Sequence, residues 1–199
     1  MQKILLNEKV YVPSEQDLPC LIDYGEGSGG SQFSITFVVN LFNSGSKVLF
    51  FTAYPMAKEN LYSIVGDDNP NFAFVTDASE LDGNLDKQCI IVESGNEQLF
   101  IECIAKHPEL LNRVILIKNI ENFSQQIFDM TINSPKVIFS GDLSSSVAKE
   151  VLMSKDYESI IVFPNYKTQF DFEIPELEKY VGFMHQKNGT QGLLKVVFD

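Results

Sequence analysis

Basic residues are scarce in this chain. Fifteen lysines and arginines stand against 27 aspartates and glutamates in 199 residues, a formal net charge of −12. Proteins hold nucleic-acid backbones and anionic membrane surfaces with clustered Lys and Arg. No such cluster occurs, so neither ligand is expected for the chain alone. Long apolar runs are missing too. The run Phe33 to Phe42 is too short to span a bilayer and reads as a buried helix. The N-terminus, Met1-Gln2-Lys3-Ile4-Leu5-Leu6-Asn7-Glu8, reaches charge before a signal-peptide core can form. Cysteine is limited to Cys20, Cys89 and Cys103, which offer neither metal spacing nor an even disulfide set. Cys20 and Cys89 read as small buried hydrophobes, and a cytoplasmic setting is expected.

Hydrophobic residues make up 44% of the chain, enough for one domain with a sizeable core. Short β-branched runs alternate with helical stretches. Strands are expected at Leu21–Tyr24, Lys47–Thr52, Phe72–Thr76, Gln88–Glu93, Arg113–Ile117, Lys136–Ser140 and Ser159–Phe163. Runs such as Val114-Ile115-Leu116-Ile117 are apolar without alternation, as in strands covered on both faces of a parallel sheet. Helices are expected at Ser31–Asn43, Ala57–Val65, Glu97–Lys106, Ser124–Ile132 and Ser144–Met153. Gly45 and Pro55 supply stop and start signals, and residues 140–146, Ser-Gly-Asp-Leu-Ser-Ser-Ser, supply N-cap candidates. Beyond Phe163 the texture changes. A polar connector carrying Tyr166, Phe170 and Phe172 leads to two alternating segments, Tyr180–His185 and Leu193–Phe198, around an Asn188-Gly189 turn. The expected fold class is therefore α/β: a mostly parallel sheet with helices on both faces and a C-terminal antiparallel hairpin. Its expected divisions are an N-terminal extension (1–18), a βαβ core (19–163), a connector (164–179) and the hairpin (180–199).

The candidate site lies between the first core strand and the first helix. Residues Asp23-Tyr24-Gly25-Glu26-Gly27-Ser28-Gly29-Gly30-Ser31-Gln32 form a glycine-rich turn in strand–turn–helix context. There, backbone N–H groups at a helix N-terminus can cradle phosphate. A working loop reads G-x-x-x-x-G-K-[ST], with Lys on the outer phosphates and the hydroxyl on Mg²⁺. Starting the frame at Gly25 puts Ser31 at the Lys position and Gln32 at the hydroxyl. Starting it at Tyr24 makes Ser31 the hydroxyl and leaves Gly30 where Lys belongs. Neither frame supplies the cation. The glycines also have a purely geometric reading, since a tight turn needs residues at positive φ.

Three pieces give the chain a family resemblance. Ile22 to Gln32 resembles the "hhYGExGSGKTQ" loop of RecA/KaiC-type P-loop ATPases, with one residue deleted and Gly30 in place of Lys. Gly45 to Thr52 is similar to that family's second strand. Lys187-Asn188-Gly189-Thr190 resembles the K-x-R-G-T turn that KaiC-like subunits present to a neighbour's nucleotide, with Asn188 in place of Arg. The resemblance implies a RecA-like fold and a nucleotide site made of Gly25, Glu26, Gly27, Ser28, Gly29, Gly30, Ser31 and Gln32. It implies Ser31 and an acid at a strand end, Glu93, on Mg²⁺, and Lys187, Asn188, Gly189 and Thr190 at a subunit interface. Lys118 stands where a competing strand should carry the acid. The usual water-activating Glu is also missing, because the second strand runs into Ala53-Tyr54-Pro55. The expectation is a catalytically degenerate domain working through protein assembly, with itself or with an active paralogue. No cofactor is required under that reading; ATP with Mg²⁺ is a weak ligand in the alternative, where Lys118 or Lys187 replaces the loop lysine. Asp142 is a further ligand candidate, at a strand's carboxyl end facing the loop. His107, His185 and the serines 144–146 read as structural.

Overall fold

The β-branched runs form one sheet. The computed structural model describes residues 2–41, 47–51, 72–75, 77–86, 88–165 and 167–197. The helix expected at 57–65, together with Gly45, Pro55 and Tyr166, lies outside them. The strands are β1 (Lys3–Leu6), β2 (Lys9–Tyr11), β3 (Cys20–Asp23), β4 (Val48–Phe51), β5 (Phe72–Val75), β6 (Cys89–Glu93), β7 (Val114–Lys118), β8 (Val137–Gly141), β9 (Ser159–Val162), β10 (Val181–Gln186) and β11 (Gln191–Val197). Their order is β2-β1-β11-β10-β9-β3-β8-β7-β6-β4-β5. From β9 to β5 every neighbouring pair is parallel, and from β10 to β2 every pair is antiparallel. The sheet is thus mostly parallel, with an antiparallel wing at one edge.

Each parallel strand feeds two cores. In β3, Leu21 faces one side while Cys20 and Ile22 face the other; in β7, Ile115 and Ile117 oppose Val114 and Leu116. Helix α1 (Gly30–Leu41) covers the second side through Phe33, Phe37 and Val38. Helices α2 (Glu97–Lys106) and α3 (Gln125–Thr131) cover the first through Phe100, Cys103, Ile127 and Phe128. Both faces are dry, and for that reason the strands read as unbroken apolar runs.

One expectation needs correction. The helix expected at Ser144–Met153 is a 3₁₀ turn at Leu143–Ser145 followed by a short α4 (Lys149–Ser154). Asp142 caps that turn, and the Ser144 hydroxyl donates to Asp142 Oδ1 rather than capping α4. The 1–18 extension, for which no strand was expected, supplies β1 and β2. Gln2 also ties it to α1: Thr36 Oγ1 donates to Gln2 Oε1 at 2.5 Å, and Asn40 Nδ2 to the Gln2 carbonyl at 3.2 Å.

Register places the hairpin turn. Because β10 runs against β9 with Gln186 opposite Ser159, residues 187–190 lie at the end of the sheet where the parallel strands begin. The glycine-rich loop follows Asp23, at the other end.

Candidate functional site

The loop leaves β3 at Asp23 and enters α1 at Gly30. Ser28 N–H donates to the Gly25 carbonyl at 3.3 Å, and Phe33 N–H to that of Gly29 at 3.0 Å. Gly27 and Gly29 have φ of +71° and +91°, so two of the glycines are needed by the turn itself. Beside the loop opens a cavity of about 800 Å³. The structure brings Gly25, Glu26, Gly27, Gly29, Gly30, Ser31 and Gln32 to its wall, with Glu93, Lys118 and Asp142. Ser28 is buried beneath them. Tyr24, Asn119, Glu121 and Tyr180 also line it and were not expected from the sequence.

Protein groups sit where side chains at Gly25, Gly29 and Gly30 would have to go, while the space at Gly27 is open. Tyr24 Cβ, Cγ and Cδ1 all lie within 2.6 Å of the place a Gly30 Cβ would take. Tyr180 Cδ1 lies 2.7 Å from that place at Gly29, and the Pro164 carbonyl 2.9 Å from it at Gly25. Gly30 is therefore not an open slot waiting for a lysine; the Tyr24 side chain fills it. The Tyr24 hydroxyl donates to Asn119 Oδ1 at 3.1 Å. Burial pushes the phenol up to about 12, so it stays a neutral donor at physiological pH.

Opposite the loop, β6 and β7 pair with Glu93 beside Lys118. Lys118 Nζ lies 2.5 Å from Glu93 Oε1, with side-chain exposures of 7% and 8%. The same ammonium approaches Asn119 Oδ1 at 3.4 Å. Asn119 turns the chain in a left-handed conformation, φ +65°, which asparagine tolerates better than most residues. Thus the two strand ends that competed as metal acids meet each other: the lysine of one neutralises the acid of the other. Among the described residues the cavity wall carries four carboxylates, Glu26, Glu93, Glu121 and Asp142, and one ammonium, that of Lys118.

Lys187 does not reach the loop of its own chain. It lies at the far end of the sheet, 2.5 Å from Asp156 Oδ2 and half exposed. Asn188 Oδ1 accepts from Thr190 N–H at 2.9 Å, and Gly189 takes φ +89°, as its tight turn requires. His107 lies near Glu109 and Asp82 at the surface, and His185 stacks on Phe172 with centroids 4.2 Å apart. Both are far from the cavity lining.

Asp142 holds the β8 end in shape. It accepts from Ser144 N–H at 3.0 Å, from the Ser144 and Ser145 hydroxyls at 2.5 and 2.9 Å, and from Asn165 Nδ2 at 3.2 Å. Partial burial raises its carboxyl, but these bonds and Lys167 outweigh that and bring it down to about 2. A carboxylate held below its ordinary value stabilises the fold above pH 4, and that contribution is lost as pH falls towards 2. Replacing Asp142 with alanine should cost about 1 kcal/mol at neutral pH and less at pH 2, where the carboxyl is about half protonated. Urea denaturation at the two pH values checks this; an equal cost at both would contradict it.

Among the described residues no group of His, Cys, Asp and Glu is arranged to hold a metal ion, and no helix is long and apolar enough to cross a membrane. No family model matches the chain, and no curated protein matches it. Among solved structures it is similar to the cytoplasmic domain of the Thermomonospora curvata type VII secretion ATPase EccC: 7% identity, TM-score 0.44, all of this chain against 26% of that one. It is also similar to the cytoplasmic domain of EssC, with 11% identity, TM-score 0.42, and 89% of this chain against 37% of that one. The chain thus spans well under half of either structure. At these TM-scores no argument rests on the likeness, and the reading of the site stands on its own residues.

Proposed function

We propose that this chain is a degenerate RecA/KaiC-like phosphate-loop domain that works through protein assembly and not through nucleotide hydrolysis. One observation carries the reading: the Tyr24 side chain occupies the position where the loop lysine would begin. The remaining chemistry supports it. The loop lysine normally neutralises charge on the transferred phosphoryl group. Here the cation nearest in role, Lys118, is spent on Glu93, and the acid that would hold Mg²⁺ is spent on Lys118. A domain kept without that chemistry is kept for its surfaces. Its partner is a second copy or an active paralogue, met through the exposed hairpin turn at Lys187–Thr190.

The alternative is weak nucleotide binding, with Gly25–Ser31 on the phosphates and Ser31 and Glu93 on Mg²⁺. The cavity at the start of α1 favours it, being large enough for a small ligand. Light scattering separates the two readings. Under the assembly reading the mass of the assembly, alone or with its partner, is the same with and without ATP and Mg²⁺. An assembly that forms or dissolves with nucleotide contradicts that reading.

A further inference from the structure

The connector between β9 and β10 touches the glycine-rich loop near its start and at its end. Pro164 packs on Gly25 and the Tyr180 ring on Gly29, and Tyr180 N–H donates to the Ser28 carbonyl at 3.1 Å. The middle is held by apolar contacts: Phe172 stacks on His185, and Leu177 is buried. The first end is held differently. One amide nitrogen, Asn165 Nδ2, donates to Asp23 Oδ1 at 3.0 Å and to Asp142 Oδ1 at 3.2 Å. The other end of the same amide accepts from Lys167 N–H at 3.3 Å.

Two carboxylates therefore converge on one neutral donor, and Asp23 is fully buried. Leu143 N–H donates to Asp23 Oδ1 at 2.9 Å. The charged groups around the pair are few. Lys167 Nζ lies 3.5 Å from Asp142 Oδ2, and Glu121 Oε2 accepts from Asp142 N–H at 3.0 Å. The cation of this set thus stands at Asp142, while Asp23 faces neutral donors and a second carboxylate. Two like charges so close disfavour double ionisation.

We propose that Pro164 and Asn165 form a proton-gated strap over the glycine-rich loop, closed by Asn165 on the Asp23–Asp142 pair and released when both carboxylates are charged. Burial lifts the Asp23 carboxyl to about 6, against the bonds from Leu143 and Asn165 and with help from Asp142. Opening the strap returns Asp23 to water, where its ordinary value lies near 4. An acid raised in the closed state binds its proton more tightly there, so rising pH favours the open state. Opening removes Pro164 from Gly25 and widens the cavity mouth. The strap goes beyond the assembly reading and holds whether or not that reading does.

Amide hydrogen exchange on the whole chain tests it. The reporters are the amides of Lys167 and Leu143, with those of Cys89–Glu93 in β6 marking opening of the whole fold. After correction for intrinsic exchange, protection of the two reporters should fall roughly tenfold from pH 5 to pH 7.5. It should also stay below that of β6 at every pH. Asp23→Asn should abolish the pH dependence, because the asparagine carbonyl still accepts from Leu143 and Asn165 without titrating. Asn165→Ala should leave the reporters poorly protected even at pH 5. Reporters that exchange only as slowly as β6 would overturn the strap, as would a pH dependence that survives in Asp23→Asn.

Discussion

Lys118→Met is expected to destabilise the fold by about 3–5 kcal/mol, because it leaves the Glu93 carboxylate buried without its counter-charge. The pair sits across β6 and β7 at the sheet's carboxyl edge and is nearly closed to solvent. A surface ion pair would be worth well under 1 kcal/mol and would be screened by salt. This one is different because so little of either side chain reaches solvent. The double variant Glu93→Gln with Lys118→Met should recover most of the loss. Removing both charges removes the desolvation cost together with the attraction, and such exchanges are often close to neutral. Urea midpoints with unchanged slopes would measure both effects. A single-variant loss below about 1 kcal/mol would show that water reaches the pair, and Glu93 would return as a site for Mg²⁺.

Restoring the missing lysine should fail. Gly30→Lys is expected to cost about 1–3 kcal/mol in stability, the usual range for forcing extra atoms into packed space. It should bring no measurable gain in ATP affinity. The Tyr24 atoms met by the new Cβ lie next to that residue's own backbone, so the ring cannot swing clear without moving the end of β3. Gly30→Ala isolates the steric part and should show most of the same cost. If Gly30→Lys were instead stable and bound ATP, the Tyr24 contact would be a soft one, and the loop would be one substitution from function.

These two expectations also show where the sequence was legible. Strands β3, β4, β6, β7, β8 and β9 were readable within a residue or two, because burial on both faces writes an unbroken apolar run into each. The hairpin was readable from Asn188-Gly189, whose turn needs a positive φ. The absent lysine was readable from spacing alone. What stands in its place was not, since Tyr24 is six residues from Gly30 in the chain and meets it only after the loop has closed. The Glu93–Lys118 pair was hidden for a similar reason. Both residues were visible as strand ends, but their meeting depends on β6 lying beside β7, and local sequence does not encode strand order. Strands β1 and β2 were missed because they are short and at the edge, with Lys9 and the exposed Val10 breaking the alternation expected of a half-buried strand. Asn165 lay in a polar connector with nothing local to mark it. Its importance comes from Asp23 and Asp142, 142 and 23 residues away in sequence.

The most direct test of the central claim is a calorimetric titration of the unmodified chain, and of Gly30→Lys beside it, with ATP and Mg²⁺. A loop whose Gly30 is packed against Tyr24, with four carboxylates among the described residues around it, should give no saturable heat in either protein. Saturable binding to the unmodified chain with a dissociation constant below about 100 μM, roughly −5.5 kcal/mol, would contradict the account and make the glycine-rich loop a working nucleotide site.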